Sequence, residues 1–273
     1  MRFRLFIILS LFFLSGRALA QGIEGYGDHS LWVLVNDIKR DFKRETGIPL
    51  QLLPELAVGG TGCAKGILHA ASGTPDRHFG LVCCGLRENT VKEYGLVVYP
   101  VAKEPLSIIV NAKNPVKGLT LKQVRDMFSG RLLNWKAAGG RDEPIVVVTR
   151  LHCKEHIPNW LMILSSPAKF RAKRVDVASE FAMAKTVADF PQAVGHLEVT
   201  SVREFPGGIK VIPVDGRLPT SENLSKGLYP LSTTLSVVTK GEAGPLVMRF
   251  IEYLRKSPRV KRAMKKYGMH QVE

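Results

Sequence analysis

Hydrophobic residues recur at helical spacing wherever the chain is punctuated by glycine or a capping residue. Leu31, Leu34, Val35, Ile38 and Phe42 line one face of a helix predicted over 31–45, which Ser30 or Asp28 can cap. A strand over 49–53 follows, and the glycine-rich run 59–66 opens a second helix through Ala70. The runs 79–85, 96–101, 106–110 and 145–148 read as short strands, the last ending at Arg150. Thr120 caps a helix to Phe128 whose Val124, Met127 and Phe128 share a face. An apolar helical stretch starts near Pro158, a strand lies near 211–214 and another covers 233–239. This alternation predicts an α/β chain with mainly parallel sheets.

The first twenty residues break that pattern. Arg2 and Arg4 precede the apolar run 5–14, and Ala18-Leu19-Ala20 supplies small residues for cleavage, the form of a secretory signal peptide. The expectation is a periplasmic protein starting at Gln21, not embedded in the membrane, with no cysteine placed to carry a lipid anchor. The formal charge of +15 falls to +12 once Arg2, Arg4 and Arg17 are removed. A basic exterior steers anionic ligands without identifying one. Basic residues punctuate the C-terminal helical region, but no aromatic interleaving or nucleic-acid motif accompanies them. They read as a solvated face, and no nucleic-acid partner is expected.

Between Glu104 and Arg150 the order of residues is distinctive: Asn111, Asn114-Pro115, Thr120, Phe128-Ser129-Gly130, Asn134-Trp135, Gly139-Gly140 and Arg150. In this order and spacing the stretch resembles the periplasmic phosphate-binding proteins of ABC importers, within the type II periplasmic binding protein superfamily. The likeness continues through 190–197, 211–216, Pro219-Thr220, Asn223 and Tyr229-Pro230-Leu231. It implies a two-lobed α/β clamp: lobe 1 from 21–104 with 233–273, lobe 2 from 105–232, and a ligand cleft between them. It also implies an ABC permease as partner and, as anion contacts, Gly60, Thr61, Gly62 and Arg150, the last able to grip an oxyanion in bidentate fashion. Arg150 could equally serve as a salt bridge bracing the cleft.

The chain departs from the resemblance at its ligand loops. Asp28-His29 replaces small hydroxyl residues, and Lys154-Glu155-His156 replaces Ser-Gly-Thr, putting a carboxylate where an anion needs a donor. All four cysteines, Cys63, Cys83, Cys84 and Cys153, fall in or beside those loops. Strand alternation predicts that Cys83 and Cys84 face opposite ways, leaving Cys63, Cys84 and Cys153 to converge with His152 or His156. Thiolates with imidazole suit soft ions, whereas an even cysteine count in an exported chain also fits structural disulfides, Cys63 with Cys84 or Cys153. The remaining histidines, His29, His69, His78, His196 and His270, and Trp32, Trp135 and Trp160 read as ordinary surface or packing residues.

No nucleophile elbow, paired carboxylates or His-Glu-x-x-His helix is present, so a non-enzymatic protein without a cofactor is expected. The sequence thus reads as an extracytoplasmic solute-binding protein capturing a small oxyanion for an ABC importer. Its alternative is a cysteine-based periplasmic sensor of a thiophilic metal or metalloid such as arsenite, docking on a membrane sensor.

Overall fold

The computed structural model describes residues 22–54, 62–153, 156–205 and 207–272. The signal segment and the calls on Gly60, Thr61, Lys154 and Glu155 lie outside them. The first part of the chain runs β1 (Ile23–Gly27), α1 (His29–Thr46), β2 (Leu50–Leu52), α2 (Gly62–Ser72), β3 (His78–Val82) and α3 (Glu88–Tyr94). A long β4 (Leu96–Asn111) leads to α4 (Leu121–Ser129), β5 (Val146–Thr149), β6 (Val175–Asp176), α5 (Glu180–Asp189), β7 (Ala193–Glu198), α6 (Val199–Glu204) and β8 (Ile209–Ile212). After α7 (Ser221–Ser225), β9 (Ser232–Lys240) returns, followed by α8 (Pro245–Lys256), α9 (Pro258–Lys266) and β10 (His270–Gln271).

These elements make the α/β architecture expected from the pattern. The sheet order is β2-β1-β3-β9-β4-β7-β5-β6, with β8 and β10 also pairing β4. β1 pairs in parallel with β2 and β3, and β5 with β6 and β7. The centre is antiparallel because β9 folds back along β4 from Leu96 to Pro105.

One expectation needs correction here. The strands read as 96–101 and 106–110 are a single element, continuous through Lys103, Glu104 and Pro105, with a register shift at Pro100/Ala102. Charged residues followed by proline look like a break, yet β9 pairs across them; Lys103 stays exposed while Glu104 is fully buried. The first part of β4 belongs to a core with Phe42, Phe79, Leu81, Val237 and Phe250. Its last part alternates between two other clusters, Ile108 and Val110 facing Phe128 and Trp135, and Ile109 facing Met183 and Val187. β4 therefore ties the cores together. Trp135 and Trp160 are buried as packing residues.

The caps follow the chain's local chemistry. Asp28 accepts from Leu31 N at 3.0 Å, and Thr120 with Gln123 forms a reciprocal capping box on α4. The helix expected near Pro158 is instead two short 3-10 turns, Asn159–Met162 and Pro167–Lys169, because Ser165-Ser166-Pro167 interrupts the run. The basic C-terminal stretch is largely solvated and also holds its own fold: Arg259 meets Asp41 and Glu45, and Lys266 meets Asp37. Among the described residues no helix is long and apolar enough to cross a membrane.

α2 lies directly on the backbones of β1 and β3. A Cβ on Gly66 would sit 2.7 Å from Leu81 O and 2.9 Å from Tyr26 O, and one on Gly80 would sit 2.2 Å from Gly66 O. Glycine is poor in a helix interior, so its place at Gly66 comes from this close approach. Gly66→Val should cost about 3 kcal/mol or more, read as a lower midpoint in chemical denaturation, since the obstacles are backbone atoms that cannot rotate away.

Candidate functional site

The N-termini of α1 and α2 and the ends of β3, β5 and β7 point at one another. Between them lies a cavity of about 380 Å³, lined among others by Asp28, Ser30, Gly62, Cys63, Cys83, Arg150, His152, Cys153, Glu180 and Glu198. Gly62 reaches this rim because it packs on the turn before α1, where a Cβ would be 3.0 Å from Gly27 O. Two of the expected anion contacts, Gly62 and Arg150, thus share the cavity.

Arg150 follows β5 and is buried, with Nη1 3.3 Å from Glu180 Oε1. Its Nε is buried with no partner among the described residues. Glu180, the first residue of α5, also accepts from Ser201 Oγ, while burial and the neighbouring Glu198 push its carboxyl above the usual range. Glu198, at the end of β7, accepts from Asn159 Nδ2. Burial pushes Glu198 up, but the charges of His152 and Arg150 outweigh it and hold the carboxyl below its ordinary value. Burial holds His152 below the usual imidazole range, so near neutral pH the cation beside Glu198 is Arg150. Arg150 therefore braces Glu180, one of the two roles read from the sequence, and also lines the cavity.

Carboxylates define the site more than the sequence reading anticipated. Asp28, Glu180, Glu198 and Glu204 all line the cavity. Burial, and then the neighbouring Cys63, push Asp28 up to about 7. Behind them Glu104 accepts from Thr200 N at 3.2 Å and Thr200 Oγ1 at 2.6 Å, leaving Oε2 without a partner among the described residues. Burial and the charge of Glu198 raise Glu104 to about 8. His29, read as an ordinary residue, lines the cavity and meets Glu204 Oε1 at 3.0 Å. His196 is a core residue held neutral, its pKa driven down to about 3 by burial.

The four cysteines do converge. Cys63 Sγ lies 3.1 Å from Cys83 Sγ and accepts from Cys83 N at 3.1 Å, while Cys83 Sγ lies 3.8 Å from Cys84 Sγ. No disulfide joins any of them. The prediction that Cys83 and Cys84 face opposite ways does not hold: both sulfurs are in the cluster, and Cys83 lines the cavity. β3 ends at Val82, so the pair sits in a bend where strand alternation has lapsed.

Cys153 reaches them because its loop is stapled to theirs. Ile157 N donates to Gly85 O at 2.8 Å and Gly85 N to Ile157 O at 3.1 Å. Cys153, in left-handed backbone at φ 50°, joins Cys84 and His152 in a second set of close donors. His156 is buried and belongs to neither set. Cys63, accepting from the other thiols and near the start of α2, is driven well below the usual thiol range. Cys83 and Cys84 are driven up, and Cys153 to about 12.

With this geometry in hand, the relatives are informative. The PBP superfamily domain model matches residues 18–257. The phosphate-binding protein PstS of Bacillus subtilis is 28% identical over 160 residues, 59% of this chain and 52% of that protein. The protein of the same name from Borreliella burgdorferi is 21% identical over 165 residues, 57% of this chain and 59% of that protein. The matched stretches thus span little more than half the length of these curated relatives. A Clostridium perfringens substrate-binding protein, assigned to phosphate ABC transport and carrying bound phosphate, superposes with a TM-score of 0.73 at 23% identity. That match covers 92% of this chain and 100% of that one. An ABC-type phosphate transport receptor from Vibrio cholerae gives 0.66 at 24% identity, covering 92% and 99%. The chain belongs to the PBP superfamily, and the relatives it matches there are phosphate-binding proteins.

Proposed function

We propose that this chain is an extracytoplasmic solute-binding protein that captures a small oxyanion in the Arg150 cavity and presents it to an ABC permease. The observation that carries the reading is that Arg150, whose Nε has no partner among the described residues, lines the same cavity as the Gly62 end of α2. A helix N-terminus offers backbone N–H groups and a favourable dipole to an anion, and the guanidinium adds a charge-assisted donor. Asp28 in its protonated form, below about pH 7, adds a further donor. Residues 21–104 with 233–273 and residues 105–232 act as the two lobes of the clamp, joined through β4 and β9. The N-terminal segment is a signal peptide cleaved after Ala20, which places the protein in the periplasm. Binding without chemistry follows the relatives, which are binding proteins. Gly60 and Thr61, which lie outside the described residues, are further candidate anion contacts on the strength of the family resemblance. Transport is the preferred reading because the relatives named above are phosphate-binding and phosphate-transport proteins.

Calorimetry with phosphate, sulfate and arsenate on the mature chain tests this. The expected result is saturable one-to-one heat from at least one tetrahedral oxyanion together with a rise in melting temperature. Absence of both for all three anions would remove the oxyanion reading.

A further inference from the structure

Beside the anion donors lies chemistry that an oxyanion does not use. The sulfurs of Cys63, Cys83 and Cys84 all lie within 4.8 Å of one another. All three residues are buried, at 2%, 7% and 3% exposure, and Cys63 and Cys83 open onto the cavity. Two come from the bend after β3 and one from the first turn of α2, held by the backbone contacts of Gly66 and Gly80. The trio is thus built into a closely packed part of the fold.

Net charge decides which centre suits it. Three thiolates around a monovalent or divalent cation leave a buried negative group beside Asp28, which a low-dielectric interior opposes. Zinc also favours a tetrahedron of four donors, and neither close set among the described residues holds more than three. A trivalent centre with three sulfurs is neutral. We propose that Cys63, Cys83 and Cys84 form a binding site for a trivalent thiophilic metalloid, taken from the cavity as its neutral trihydroxide. With arsenic the step is As(OH)3 + 3 RSH → As(SR)3 + 3 H2O. Three As–O bonds break, three As–S bonds form, each thiol proton leaves with a departing hydroxide as water, and arsenic stays trivalent. The carboxylates that repel a dianion do not oppose this uncharged species. Cys153 and His152, linked to Cys84 as the second set, lie at the approach and are not ligands of the bound centre.

The site is separate from the oxyanion reading, and the test keeps them apart. Sodium arsenite is titrated into the full mature chain after phosphine reduction, and thiols are counted with a thiol reagent on the folded protein and again after denaturation in the continued presence of arsenite. Of four thiols, three should become unreactive at one equivalent, leaving one. Cys153→Ser should still lose three, whereas Cys83→Ser and Cys84→Ser should lose the one-to-one endpoint while keeping the parental melting temperature without arsenite. Cys84→Ala provides a second variant should the serine unfold the protein. Four reactive thiols at excess arsenite, or an endpoint abolished by Cys153→Ser and retained in Cys83→Ser, would overturn the assignment. Phosphate heat measured in Cys84→Ser reports on the oxyanion reading alone.

Discussion

Replacing Arg150 by methionine should abolish oxyanion binding and destabilise the protein by about 3 to 5 kcal/mol near neutral pH, the range for a buried ion pair that loses one partner. Arg150 is 7% exposed and faces the half-buried Glu180 with the buried Glu198 close by, so its removal leaves both carboxylates without their cation. The sign of the pH dependence follows. Glu198 is held below its unfolded value, so its contribution to stability is present above the unfolded pKa and lost as pH falls through the folded one. In the variant that contribution is gone, and the gap to the parent protein should narrow towards acid. Denaturant melts at several pH values give the gap, and calorimetry gives the binding. Arg150→Met combined with Glu180→Leu should recover part of the stability and none of the binding, because an apolar pair replaces a lone buried charge. A single variant with parental stability would mean that Arg150 does not compensate these carboxylates.

The second large effect runs the other way: Glu104→Gln should stabilise the protein in alkaline solution. Glu104 is fully buried on β4, and its pKa is raised from 4.5 to about 8, by burial first and then by Glu198. A carboxyl raised on folding contributes stability that is complete below about pH 4.5 and lost as pH rises through about 8. Taking about 1.4 kcal/mol per pH unit across that window gives a penalty on the order of 5 kcal/mol for the ionised form. Glutamine never ionises and keeps an acceptor for Thr200, at a cost of about 1 to 2 kcal/mol for an amide N–H placed where Oε2 has no partner. The net gain near pH 9 should be about 3 to 4 kcal/mol, vanishing or reversing near pH 4. Melts at both pH values decide it; an equal shift at both would show that ionisation of Glu104 is not the cause. Asp28, raised to about 7, adds a loss in the same direction at lower pH, so the parent protein should weaken from acid towards alkali wherever these two groups dominate.

The local features of this chain were legible because their physics is local. Asp28 and Thr120 cap the helices they precede, since capping depends only on a side-chain oxygen and the next turn of backbone. The family order from Asn111 to Arg150 was equally readable, and it located the cavity by way of Arg150 and Gly62. Sequence reasoning failed where partners are distant. Glu104 looked like a break between strands because its covering, β9 and Thr200, lies far along the chain. Glu180 and Glu198 carry no motif, and each becomes a site residue only when α5 and β7 bring it beside Arg150. A search for carboxylates at the starts of helices and ends of strands would have singled out both.

By itself, then, the sequence determined the α/β class, the caps, the superfamily and the crowding of cysteines into ligand loops, all of which depend on pattern and spacing. The tertiary structure decided the rest. It showed that Cys83 and Cys84 share one cluster because β3 ends before them, and that the Gly85–Ile157 pairing carries Cys153 to Cys84. It also showed that Arg150 is half engaged by Glu180 in a cavity rich in acid groups. Charge balance and thiol geometry in a buried site depend on which side chains meet there, and that is set by packing across the whole chain.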